Sequence, residues 1–115
     1  MHELGIMADV LDTAIEVAEK HGASKVTKIT LKIGVMSGIM PEYVQSFFDV
    51  ISKNTIARGA KITIDSDPAV FLCRKCGEQT VYEALGPEYV CHHCGSPALH
   101  LQSGYGFQIV SVGIV

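Results

Sequence analysis

The chain has 115 residues, 48% of them apolar, and a formal charge of −3. That allows one compact domain, or a small domain with a metal-stapled module, and it excludes a disordered chain. It also excludes a basic grip on nucleic acid, because four thiolates holding a dication would lower the charge by about 2 more.

The apolar residues Met7, Val10, Leu11, Ala14, Val17 and Ala18 recur at helical spacing over residues 6–21, and Gly22 is a good stop. This predicts an amphipathic helix. Residues 28–35 alternate strictly and predict a half-buried strand facing it. Pro41 suits the first position of a second helix with core stripe Val44, Phe47, Phe48 and Ile51, and Gly59 marks the chain past its end. Residues 60–65 predict a second strand, closing at Asp67-Pro68. From Ala69 the segments become short: 70–72, 80–83, 88–90 and 97–102. Ser103-Gly104-Tyr105-Gly106 reads as a hinge. Residues 107–115 are apolar at nearly every position, which predicts a third strand of the first sheet, buried on both faces.

The short segments carry Cys73-Arg-Lys-Cys76-Gly77 and Cys91-His92-His93-Cys94-Gly95. Paired Cys-x-x-Cys motifs at this separation have ligand spacing for a tetrahedral four-sulfur site. The glycine after each pair permits a tight turn and is expected to aim its N–H at a sulfur. Zinc is the default occupant, and iron fits the same geometry. Arg74 and Lys75 offset the thiolate charge locally. Segments this short bury no core of their own, so the metal must hold them together. The expected architecture is therefore α+β: two helices packed on a three-stranded sheet, with an inserted four-cysteine zinc-ribbon-like module. Residues 1–68 plus 104–115 make the first domain, and residues 69–103 the inserted one.

Met1-His2-Glu3 offers a different donor set. The α-amine, the His2 amide nitrogen and the His2 Nδ1 can close successive chelate rings, with the Glu3 amide adjacent. Tetragonal all-nitrogen sets suit Ni(II) or Cu(II) and frustrate zinc.

Met1-His2-Glu3-Leu4 at the start of the first helix resembles the opening of the HypA/HybF family, nickel-handling maturation factors for nickel–iron hydrogenases. So do the run Ile33-Gly34-Val35-Met36-Ser37-Gly38-Ile39-Met40-Pro41-Glu42, the two cysteine pairs and the closing Ser103-Gly104 before an apolar strand. The resemblance implies nickel at Met1, His2 and Glu3 and structural zinc at Cys73, Cys76, Cys91 and Cys94. It further implies a companion GTPase and the hydrogenase large subunit as partners. The neutral closing run, with Gly106 where family members often carry an acid, departs from the pattern.

His92 and His93 lie between the ligands of the second pair and His100 just beyond it, which makes them auxiliary candidates. His21, near the end of the first helix, suits the helix dipole. No nucleophile–base set or phosphate-cradling loop is present, so no enzyme activity is expected of this chain, and the resemblance implies a nickel metallochaperone. The alternatives are a zinc-ribbon interaction module without nickel and a rubredoxin-like electron carrier. With no secretory signal, no membrane helix and reduced thiols, a cytoplasmic setting is expected, with no membrane or nucleic-acid partner and a homodimer left open.

Overall fold

The computed structural model describes residues 2–115, with side chains from residue 5 onward. Helix α1 (His2–Lys20) buries Met7, Val10, Leu11, Ala14 and Ala18, the stripe that its period anticipates. It ends where Ala23 N–H donates to Ala18 O at 2.9 Å and Gly22 N–H to Glu19 O at 3.1 Å. That hydrogen-bond pair satisfies the last carbonyls of the helix. Strand β1 (Val26–Gly34) buries Val26, Ile29, Leu31 and Ile33.

Helix α2 (Pro41–Ile51) carries Pro41 in its first turn and buries Val44 and Phe48. It stops well before Gly59. Thr55 Oγ1 donates to Ser52 O at 2.8 Å and accepts from Ala57 N–H at 3.1 Å, so a hydroxyl takes over backbone partners and the chain turns instead. Strand β2 (Lys61–Asp67) follows. Gln45 of α2 fills the hydrogen-bonding place of a neighbouring strand at its start. Gln45 Nε2 donates to Ala60 O at 3.1 Å, and Ile62 N–H donates to Gln45 Oε1 at 2.8 Å.

Pro68 interrupts the chain, and β3 (Ala69–Cys73), β4 (Gln79–Tyr82) and β5 (Leu99–Ser103) form a second sheet before β6 (Phe107–Ile114) returns to the first. The sheet orders are β2-β1-β6 and β4-β3-β5. Lys25 and Val115 exchange hydrogen bonds at one end of the β1–β6 pair, and Gly34 N–H donates to Gly106 O at the other, so these strands run antiparallel. Val26 N–H reaches Ile56 O and Val35 N–H reaches Asp67 O, so β2 runs parallel to β1. The third strand of the first sheet is therefore β6, but it is not buried on both faces. It lies at the edge of the order β2-β1-β6, none of its residues is buried, and Val110 is 55% exposed. β1 holds the central, buried place.

Two compact units divide the chain. The first comprises Met1–Lys32, Ile39–Asp65 and Gln108–Val115, and the second Ile33–Gly38 and Ser66–Phe107. The first holds an apolar core from both helices, β1 and β2. In the second, the hinge expected at residues 103–106 is instead a braced crossing. Gly104 is buried, its carbonyl accepts from Met36 N–H at 2.8 Å, and its backbone lies directly against Gly34.

Candidate metal centre

The second unit has few buried apolar side chains: Ile33, Ala69 and Phe71, beside the buried thiols of Cys73 and Cys91. What it has instead is two copies of one turn. Cys73 closes β3, its N–H donates to Glu78 O at 2.9 Å, and Gly77 N–H returns to Cys73 O at 2.9 Å. The second copy repeats this with Cys91 N–H to Ser96 O and Gly95 N–H to Cys91 O, both at 2.9 Å. Gly77 and Gly95 have φ of 79° and 77°, which glycine adopts at little cost. The glycine amides thus close the turns through carbonyl oxygens and do not point at sulfur, as the spacing had led us to expect. Backbone N–H groups of other residues reach sulfur instead, among them those of Cys76 and His93, at 3.4 Å from Cys73 Sγ and Cys91 Sγ respectively.

These turns bring the four sulfurs within 4.8 Å of one another. Cys73 Sγ lies 3.6 Å from Cys94 Sγ, and Cys76 Sγ lies 3.5 Å from Cys91 Sγ. A tetrahedral ion with bonds of about 2.3 Å needs sulfur–sulfur edges of about 3.8 Å, so the set fits a closed four-thiolate site. Its electrostatics point the same way. The Cys94 backbone N–H, with that of His93, outweighs burial and lowers the Cys91 thiol to about 6. Cys73 is lowered by the backbone N–H of Cys76 and that of Lys75. At Cys76 the Glu78 backbone N–H acts downward, but burial and the neighbouring thiols prevail and push it up to about 12. The cluster is therefore primed with negative charge that it cannot complete without a cation.

Spacing picks out the four clustered cysteines but misses what holds the second turn. His92 N–H donates to Thr80 Oγ1 at 3.0 Å, and Thr80 is buried on β4. Two residues along the same strand face, Tyr82 OH accepts from Val90 N–H at 3.1 Å and donates to Val90 O at 2.9 Å. Its ring packs edge-on against Phe71 and Tyr89 at centroid distances of 5.9 and 5.0 Å. The signal was available: Thr80 and Tyr82 share a face by the period of two, in a segment with few other large side chains to bury.

Among the described residues, the metal-ligand cluster consists of the four cysteines alone. His92 and His93 are exposed, and the His92 ring lies 4.8 Å from that of Tyr82. His100 sits on β5 with Nδ1 3.4 Å from Arg74 Nη2. Met1 lies outside the described residues. His2 and Glu3 open α1, but their side chains also fall outside the description. No helix among the described residues is long and apolar enough to cross a membrane.

A family model described as hydrogenase/urease nickel incorporation, metallochaperone, hypA matches residues 1–114. The chain is 34% identical over 115 residues to the hydrogenase maturation factor HypA of Synechococcus elongatus, with all of both chains covered. It is 36% identical to that of Caldanaerobacter subterraneus subsp. tengcongensis, with 99% of each covered. The hydrogenase maturation factor HybF of Salmonella typhimurium is 31% identical, again with 99% of each covered. In fold, the chain is similar to the solution structure of the Ni metallochaperone HypA from Helicobacter pylori, at a TM-score of 0.64 and 19% identity over 98% of this chain and 97% of that one. A second HypA solution structure superposes at 0.71 with 22% identity over 100% and 97%. A full-length family match and relatives above 30% identity over their whole lengths show that this chain belongs to the HypA family of hydrogenase-maturation nickel metallochaperones.

Proposed function

We propose that the chain captures Ni(II) at its amino terminus and delivers it, with a partner GTPase, to the large subunit of a nickel–iron hydrogenase in the cytoplasm. Residues 1–68 plus 104–115 carry the nickel site, and residues 69–103 hold a structural zinc at Cys73, Cys76, Cys91 and Cys94. The observation that carries the reading is the family match over residues 1–114, joined to a four-sulfur cluster of zinc dimensions. A closed four-thiolate site offers no open position for cargo, so nickel requires other ligands. The Met1 amine, the His2 amide and imidazole, and Glu3 provide them. α1 begins at His2, and amides in the first turn of a helix have no carbonyl partner within it, which leaves these nitrogens available. Chemistry on GTP belongs to the partner, since this chain shows no phosphate-cradling loop.

Nickel titration into three proteins tests this: the chain with Met1 free, one extended by Gly-Ser before Met1, and His2→Ala. Binding followed by the absorption of square-planar Ni(II) should be tight only in the first, with zinc content equal in all three. Affinity should fall from about pH 8 to 6, because the amine and imidazole have reference pKa values of about 7.7–8.0 and 6.5. Tight nickel binding by the extended protein would refute the amino-terminal site.

A further inference from the structure

The C-terminal half of α2 and the start of β2 enclose an open cavity of about 500 Å³, lined in part by Lys53, Arg58 and Lys61. These are three of the nine cations in a chain of net charge −3. The one acid in the lining is Asp49, whose carboxylate accepts from Gln45 Nε2 at 2.8 Å. The cavity is therefore locally positive on a negative molecule. All three cations are exposed, and none of the three takes part in the Lys20–Glu16 ion pair on α1. The wall is preformed, because Gln45 is also tied to Ala60 O and Ile62 N–H.

Lys53 has a local explanation, since a cation just past a helix C-terminus complements the dipole. Arg58 and Lys61 lie beyond the helix and gain nothing from it. The chemistry narrows what they receive. A nucleic-acid backbone needs a longer basic surface than three side chains. A compact phosphate is best held at a helix N-terminus by converging backbone N–H groups, whereas this cavity adjoins the C-terminal, partially negative end of α2. Three separated flexible cations around an open groove instead match carboxylates spaced along an extended chain. We propose that Lys53, Arg58 and Lys61 form a docking groove for an acidic peptide segment of a partner protein. Exposed ion pairs are individually weak, so the groove contributes orientation and association rate more than affinity. The proposal is independent of the nickel reading.

The test uses hexaglutamate as probe and the isotope-labelled full chain at low salt. Amide shift changes should centre on Lys53, Arg58, Gly59 and Lys61. Combined Lys53→Gln, Arg58→Gln and Lys61→Gln changes should weaken binding at least tenfold, as should salt at about 0.5 M, where charges are screened within a few ångströms. Lys25→Gln with Lys28→Gln should change it less than twofold, and nickel and zinc content should not move in any variant. Shifts centred elsewhere, parent-like binding by the triple variant, or no binding at millimolar peptide would each overturn the groove. Pyrophosphate binding there more tightly than hexaglutamate would make it a compact-anion site and overturn the peptide assignment.

Discussion

A methyl group on Gly104 would meet Ala69 Cα and Pro68 O at 2.6 Å, and one on Gly34 would meet the Gly104 carbonyl at 2.3 Å. The obstructing atoms are backbone, held in turn by Met36 N–H on Gly104 O and Gly34 N–H on Gly106 O, so they cannot yield as a side chain would. Gly104 also has φ of 92°, a conformation that L residues rarely adopt. Gly104→Ala should therefore cost about 3 kcal/mol or more, read by urea unfolding of the metal-loaded protein. Gly113→Ala is the comparison. There the added carbon meets Thr27 Oγ1 at 3.1 Å and Lys28 Cβ at 3.3 Å, so the hydroxyl can turn away and Lys28 need give only slightly, and the cost should stay near 1 kcal/mol. Equal costs at the two sites would show that the backbone crossing is not what requires glycine. In the sequence, Ser103-Gly104-Tyr105-Gly106 looks like loose chain. Its role depends on a glycine far away along the sequence, and nothing local announces such a crossing.

At the scale of elements, the second cysteine turn depends on β4. Tyr82→Phe keeps the ring against Phe71 and Tyr89 but removes both hydrogen bonds to Val90. Unpaired, partly buried backbone groups cost about 1–3 kcal/mol. Zinc should then leave roughly tenfold faster or more, taking about 1.4 kcal/mol per decade, as measured by transfer to a chromophoric chelator. An unchanged release rate would mean that the turn holds its shape without β4. These supports were harder to read than the cysteine pairs, for a physical reason. Metal ligation demands particular residue types at fixed spacing, so Cys73, Cys76, Cys91 and Cys94 are visible in one dimension, as are the Met7–Ala18 stripe of α1 and the alternation Ile29, Leu31, Ile33. Side-chain hydrogen bonds to distant backbone, such as those of Gln45 and Tyr82, impose no such pattern. The apolar run of β6 also misled, because apolarity records the absence of charge and not the number of neighbouring strands. β6 lies at an edge, where Val110 is 55% exposed, and Val115 just past it is 70% exposed.

For the whole molecule, the two units obtain their stability from different sources. The first buries apolar side chains from α1, β1, α2 and β2 with fully buried Met7, Ile29, Leu31 and Phe48, enough to hold a small domain on hydrophobic burial. The second has few buried apolar side chains beside its four-sulfur cluster, so on the proposed reading it relies on structural zinc, which contributes on the order of 10 kcal/mol or more to such folds. Stripping the metal with a chelator, or making Cys73→Ser, should therefore unfold residues 69–103 while the helical circular dichroism persists. Acid should do the same in a definite direction. A thiol lowered to about 6, as at Cys91, stabilises the fold fully above the ordinary thiol range, and that contribution fades as pH falls through about 6. Cys76, raised to about 12, holds its proton at neutral pH until the metal displaces it, so zinc uptake near pH 7 should release protons and weaken steeply on acidification. Zinc is expected to leave between about pH 7 and 5 with the helices intact, followed by a zinc-responsive dye alongside circular dichroism. Loss of the helical signal in step with the metal would show that the two units fold as one.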